Sequence, residues 1–382
     1  MPKKPAKPAP QKSPPARKPA PAPKPAPKSP PAPVPTPKPQ PAPAPPAKKI
    51  EALPSTGPGH ASATGPKSGV VVVGSLNMDL VIKTEIMPTP GQTVMGQDLY
   101  QNPGGKGANQ ATAAGKLWSR RSPGVKLVGR IGEDVFGANL LEALDNAKVD
   151  TSAVIKTRGI PSGTAMIMVD RHGENAIVVA GGANRHLCAT DLLAQRKVIE
   201  TSVVLVAQLE VPHDTVACAF ALAKRSNVLT ILDPAPAPGE GLPESLYHVD
   251  ILTPNQSEAE TLTGMPVRNM DEARRAAERF LLRGTRIVVL KMGSAGAAII
   301  QKNAAGQTVA THVPGYRVHV VDTTAAGDTF TGAMAVGLAE GMELPAAVRF
   351  ANAAGAMACL KAGASASIPT RAEVEAFIAE RA

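Results

Sequence analysis

Asp328 closes the run Asp322-Thr323-Thr324-Ala325-Ala326-Gly327-Asp328. That run joins an apolar, β-branched stretch (Val313 to Val321) to a segment with Phe330, Ala333, Met334, Gly337 and Leu338 at helical spacing. The pattern predicts a strand that turns into a helix. Small residues at 325–327 would then leave unpaired backbone N–H groups at the positive end of the helix, a concave donor site for an anion. A carboxylate at the mouth of such a site suits phosphoryl transfer to a hydroxyl. Asp328 would be the base for the alcohol, and the turn of Ala325, Ala326 and Gly327 would hold the charge on the moving group. The alternative is that Asp328 only caps the helix, as Asp commonly does at helix starts.

Three further groups could share that chemistry. Asn77 and Asp79 alternate, so both could face one side and bind sugar hydroxyls, although as turn residues they would be equally ordinary. Asn102-Pro103-Gly104-Gly105-Lys106-Gly107-Ala108-Asn109-Gln110 leads into an Ala-rich helix. It lacks the GxxxxGK[ST] spacing of a P-loop, and that reading is rejected. Its glycines still allow a ligand to approach backbone N–H groups, while Lys106 adds a charge and Asn109 a side chain that both donates and accepts. Asn255 and Glu258 stand three apart at a helix start. They could orient waters on a Mg²⁺ that bridges nucleotide phosphates, or form an N-cap and its capping-box partner, and both can hold at once.

The elements that must position these groups follow from hydrophobic periodicity. Val70 to Val73, ended by Gly74, reads as a buried parallel strand. Strands are expected at Val125 to Ile131, Val203 to Leu209, Val228 to Leu232, Asp250 to Thr253, Ile287 to Lys291 and Ala297 to Gln301. Helices are expected at Phe136 to Ala147, Pro212 to Arg225, Gln256 to Thr263 and Asp271 to Arg283, the last begun by Asp271. Such alternation predicts an α/β fold, a three-layer α/β/α sandwich around a mostly parallel sheet. Leu80 to Gly96 and Thr164 to Val179 look like a small separate sheet, a lid drawn from about 80–103 and 160–181 that could exclude water. Glu210, Asp233, Asn255 with Glu258, Lys291 with Gly293, and Asp322 recur where strands stop, which suggests one shared crevice.

Composition bounds the partners. Residues 1–68 hold 24 of the 39 prolines, with eleven Lys, one Arg and one Glu, a net of +11, while the rest of the chain is near neutral at −1. A Pro/Ala/Lys alternation of this kind is expected to be a disordered, polyproline-II-like extension, either an electrostatic tether with an unknown partner or a solubilising appendage. The folded body, expected at 69–382, offers no net basic surface and few aromatics (3% of the chain), which argues against nucleic acid. Cys188, Cys218 and Cys359 lie far apart with no CxxC, and no apolar run is long enough to span a membrane. Without a signal-peptide core either, a cytoplasmic location is the default.

From about Val70 to the C-terminus the sequence resembles the ribokinase family of phosphofructokinase-B-type carbohydrate kinases. The resemblance is carried by Gly74 to Asp79, Gly104 to Gln110, Gln208-Leu209-Glu210, Asp233 to Ala237, Thr253 to Glu258 and Asp322 to Phe330. It implies transfer of the ATP γ-phosphate to the 5-hydroxyl of D-ribose. Asn77, Asp79, Gly105, Lys106, Gly107, Asn109, Glu210 and Asp328 would then bind the sugar, with Asp328 as base and the 325–328 backbone as anion hole. Asn255, Lys291, Gly293, Ser294, Gly296, Gly327 and Asn352 would lie along the nucleotide, and Glu258 would serve Mg²⁺. An activating K⁺ would be held at Asp322, Thr324, Ala358, Lys361, Gly363 and Ser367, several through main-chain carbonyls. The resemblance also implies a homodimer formed through the lid sheet, and no need for nucleic acid or membrane. Trp118 to Pro123 looks like a short surface insertion, Lys291 stands where some relatives have Thr, and the leader has no counterpart. The alternatives are a sibling kinase acting on deoxyribose, fructose or a nucleoside, and a non-catalytic sugar-binding protein.

Overall fold

Val70–Val73 is an interior strand of the main sheet because every one of its side chains is apolar and alternate ones serve opposite cores. Val70 and Val72 pack into one hydrophobic cluster, Val71 and Val73 into the other, all of them essentially inaccessible to water. The computed structural model describes residues 67–120 and 124–381. The expected extension up to residue 66, and 121–123 of the expected insertion, lie outside the described residues. Ser68 already donates from its backbone to the Thr201 carbonyl (3.0 Å), so it belongs to the body.

The main sheet runs in the spatial order Thr308–Pro314, Gly296–Lys302, Ile287–Lys291, Ile251–Leu252, Leu229–Leu232, Val204–Ala207, Val70–Val73, Val125–Gly132 and Val149–Asp150, with Val154–Thr157 also beside Val125–Gly132. Neighbours are parallel except where Gly296–Lys302 pairs antiparallel with both of its partners. Helices Lys106–Leu117, Val135–Asn146, Ala326–Ala339, Leu344–Ala358 and Arg371–Ala379 supply side chains to the first cluster. Ala189–Ala194, Arg196–Glu200, His213–Arg225, Gln256–Thr263 and Met270–Leu282 supply the second. The result is the expected three layers. A separate four-stranded sheet takes Gly96–Gly104, Asn77–Thr84, Gly163–Val169 and Asn175–Ala180 in that order.

Two expectations are corrected. Val313 to Val321 is not one strand: the strand is Thr308–Pro314, and 315–325 has no regular structure. Pro314 lies opposite Gly296, where the partner strand begins, so the chain beyond it has no edge to pair with. Val320 and Val321 are consequently exposed despite their β propensity. The helix expected to start at Asp271 is Met270–Leu282, capped by Asn269, whose side chain accepts from the Glu272 amide (3.0 Å). Asp271 falls instead in the first turn, where a negative charge suits the helix dipole.

Candidate active site

The glycine-rich segment brings helix Lys106–Leu117 against the start of the small sheet. Gly105 holds φ of +88, and a Cβ there would lie 2.6 Å from the Asn77 backbone nitrogen. Only glycine lets the two chains approach so closely. Glu210, from the end of the central sheet, ties them together. Its Oε2 accepts from Ser75 Oγ (2.6 Å), the Lys106 backbone N–H (3.1 Å) and Asn77 Nδ2 (3.3 Å). Asn77 Oδ1 accepts from Asn184 Nδ2 (2.8 Å), which fixes the orientation of the Asn77 amide. Asp79, buried on the same strand, has its carboxyl pushed up to about 7 by burial, with the charges of Glu210 and Asp328 adding to the shift.

Asp328 lies in the first turn of Ala326–Ala339, a helix whose N-cap is Ala325 in the left-handed region (φ 59). Asp328 is therefore not the N-cap residue, although it lies in the first turn. Its carboxylate instead reaches the neighbouring helix, accepting from Asn109 Nδ2 and Gln110 Nε2, each at 3.0 Å. Burial pushes the Asp328 carboxyl above the ordinary carboxylate range, and neither the Lys106 ammonium nor the two amides bring it back; Asp233 adds to the push. A carboxylate tuned upward in this way is better matched to taking a proton near neutral pH. In the adjoining turn the Ala326 amide is spent on the Thr323 carbonyl (3.2 Å). The amides of Gly327 and Asp328 have no acceptor among the described residues and remain available to an anion.

These groups open onto a cavity of about 920 Å³. Lys106, Asp328, Ala325, Ala326 and Gly327 line it together with Asn255, Glu258, Lys291, Gly293, Ser294, Gly296 and Asn352. Asn255 and Glu258 form the capping box: Glu258 accepts from the Asn255 backbone N–H and Nδ2, and Asn255 Oδ1 accepts from the Glu258 amide, all at 2.8 Å. Burial raises the Glu258 carboxyl, against the pull of Lys291. Lys291 donates to Asp233 Oδ1 (2.8 Å) within the cavity wall. Asn352 Nδ2 donates to the Val313 and Pro314 carbonyls (3.1 Å each), leaving its oxygen for other partners.

The sequence matches the model of the pfkB family of carbohydrate kinases over residues 67–371. A ribokinase of Haemophilus influenzae is 37% identical over 310 residues, covering 81% of this chain and 98% of its own. A deoxyribokinase of Salmonella typhi is 34% identical over 301 residues (79% and 95%). The structure of Arabidopsis thaliana ribokinase complexed with ribose and ATP is similar at a TM-score of 0.75 and 32% identity, covering 82% of this chain and 99% of that one. The chain belongs to the pfkB family of carbohydrate kinases.

Within this carbohydrate kinase the sequence-predicted groups separate into three places. Asn77, Asp79, Gly105, Gly107, Asn109 and Glu210 cluster at the small-sheet end and meet the cavity through Lys106 and Asp328. The residues expected along the nucleotide all line the cavity. Asp322, Thr324, Ala358, Lys361, Gly363 and Ser367 do not line it. Asp322 Oδ1 accepts from the Thr324 amide (2.8 Å) and Oγ1 (2.6 Å), and Oδ2 accepts from the Gly363 amide (2.9 Å). Burial of Asp322 is outweighed by these hydrogen bonds, and its carboxyl sits below the ordinary range. The Lys361 side chain turns to Glu373 (3.6 Å), and Ser367 Oγ donates to the Ala364 carbonyl (2.9 Å). The expected single crevice thus collects Asp233, Asn255, Glu258, Lys291 and Gly293 on its wall, while Glu210 sits beside the small sheet and Asp322 behind the amide turn. Sequence reasoning gave no role to Asn184 or Gln110 and placed Asp233 only in the shared crevice. Gln110 lay inside a quoted motif and Asp233 at a strand end, so both carried a signal; Asn184 carried none.

Proposed function

We propose that this kinase transfers the γ-phosphate of ATP to the 5-hydroxyl of D-ribose. The observation that carries the reading is the placement of Asp328, a buried carboxylate with a raised proton affinity. It stands beside unpaired backbone amides on the wall of the cavity and next to a cluster of sugar-compatible side chains. Asn77, Asp79, Asn109, Lys106 and Glu210 orient the pentose so that its 5-hydroxyl meets Asp328. The carboxylate takes the hydroxyl proton as the oxygen bonds to the γ-phosphorus and the bond to the β-phosphate oxygen breaks, releasing ADP. The amides of Gly327 and Asp328, with Lys291 nearby, hold the migrating group.

Mg²⁺ fits the acceptor-only face of Glu258, where each carboxylate oxygen keeps a lone pair free for a water on the ion. Bound there with the phosphates, it would neutralise the charge that builds on them. A monovalent cation such as K⁺, as the family resemblance implies, would sit by the Asp322 carboxylate, which already joins Thr324 to the Gly363 amide, and would stiffen the amide turn from there. Exposed Leu99, Tyr100, Met166, Ile177, Val178 and Val179 on the small sheet support a lid that pairs with a second copy. The three cysteines are free, which suits a reducing compartment such as the cytoplasm, and among the described residues no helix is long and apolar enough to cross a membrane.

Deoxyribose is the second reading, favoured by the Salmonella typhi relative; it differs from ribose by one hydroxyl that a few side chains can select. ADP release over a panel of pentoses, hexoses and nucleosides tests the assignment. The expected result is the highest kcat/KM with D-ribose. A preference for deoxyribose or a hexose replaces the substrate, and no turnover with any sugar overturns the reading.

A further inference from the structure

Two buried carboxylates at the heart of the site are held by one amide. Gln110 Nε2 donates to Asp233 Oδ2 at 2.9 Å and to Asp328 Oδ1 at 3.0 Å, so the two hydrogens of one nitrogen are divided between two acids. The other end of that side chain is fixed as well, because Gln110 Oε1 accepts from Gln208 Nε2 at 2.6 Å. Asp233 Oδ1 accepts from Lys291 Nζ at 2.8 Å, with the two side chains only 2% and 11% exposed. Lys291 also faces the amide turn: a Cβ on Gly327 would lie 3.6 Å from its Nζ.

We propose that Asp233, neutralised by Lys291, is a positioning residue that orients Asp328 through Gln110 and sets its proton affinity. The proposal rests on the reading of Asp328 as the base. An Asp233 that is charged but paired gives Gln110 a strong acceptor, which keeps its second hydrogen aimed at Asp328 Oδ1. That leaves Oδ2, held by Asn109, to meet the sugar hydroxyl. The pair also fixes how much negative charge Asp328 experiences from that side, where little water screens it. The remaining charged groups facing Asp328 are Lys106 on the adjoining helix and Asp79 on the small sheet. Glu210 faces both of these, and Glu258 faces Lys291, Asp233 and Lys106.

The pH profile of kcat at saturating ribose and ATP tests the link in Asp233→Asn, Lys291→Gln, their combination, and Gln110→Met. Asp233→Asn removes a negative charge beside the base, so the acid limb moves to lower pH. Lys291→Gln leaves that charge uncompensated, so the limb moves to higher pH; each shift is expected to be about one unit, about tenfold in proton affinity. In the combination the amide installed at 233 can donate to the one at 291, and the limb returns to within about half a unit of wild type. Gln110→Met keeps volume and charge but removes both donors. It should lower the kcat plateau about tenfold, with the ribose KM within about threefold, and move the limb upward. It also stands in for either single variant that does not fold. Limbs that stay at the wild-type position in every folded variant, or move the same way in both single variants, overturn the link. An Asp328→Asn enzyme with wild-type turnover overturns instead the reading on which it rests.

Discussion

Asp79 and Asp328 show how burial, rather than residue type, decides what a carboxylate does here. Asp79 is pushed up to about 7 from 3.8 by burial first and by Glu210 and Asp328 next. The folded chain therefore holds a proton at Asp79 between about pH 4 and 7 that the unfolded chain releases, so stability falls as pH rises through that window. Thermal melting of the ligand-free protein should show the decline, and Asp79→Asn should flatten it; an unchanged slope in that variant would remove Asp79 as its source. Sugar hydroxyls donate more readily to the ionised form, so the ribose Kd measured by calorimetry should fall as pH climbs through about 7. The candidate acids were legible as types at strand ends, but their proton affinities were not. That of Asp328 depends on burial, on Lys106 and Asp233, and on Asn109 and Gln110, which only the fold brings together.

Two local elements carry the site. The Gly105 turn presses helix Lys106–Leu117 onto the Asn77 backbone, and alanine there would meet both a left-handed φ and a contact at 2.6 Å. Left-handed backbone alone costs about 1–2 kcal/mol, so Gly105→Ala should raise the ribose KM about tenfold or more while leaving the ATP KM nearly unchanged. Equal KM values for ribose would show that the approach is not needed for binding. Behind the amide turn, Asp322 joins Thr324 to the Gly363 amide. Asp322→Ala should blunt activation by K⁺ more than it changes the ribose KM, measured as the ratio of kcat with K⁺ to kcat with a tetraalkylammonium salt; an unchanged ratio would discard the cation reading. Most elements were legible because their apolar period was clean, as in Val70–Val73. Val320 and Val321 were misread because β-branched residues signal a strand only where an edge exists to receive them, and the Gly296–Lys302 strand begins opposite Pro314.

Across the whole molecule, the positive charge resides in residues 1–68 (net +11), while the near-neutral body (net −1) holds every residue proposed for the site. Topology explains why the motifs could be found one by one yet not assembled. Parallel pairing aligns Val70 with both Val125 and Val204, so distant stretches of chain end at one rim. The small sheet leaves Met166, Val178 and Leu99 more than half exposed, a surface that a second copy would cover. Met166→Lys with Val178→Lys should convert a dimer into a monomer in sedimentation velocity, and a wild-type protein that sediments as a monomer would contradict the pairing. Turnover of the Asp328→Asn enzyme, read as ADP release at saturating ribose and ATP, tests most directly whether this carboxylate is the base. A positioned base contributes about 10²–10⁴ in rate, so kcat should fall at least about a hundredfold in an enzyme that still folds and binds both substrates. Turnover near that of the wild type would contradict the assignment.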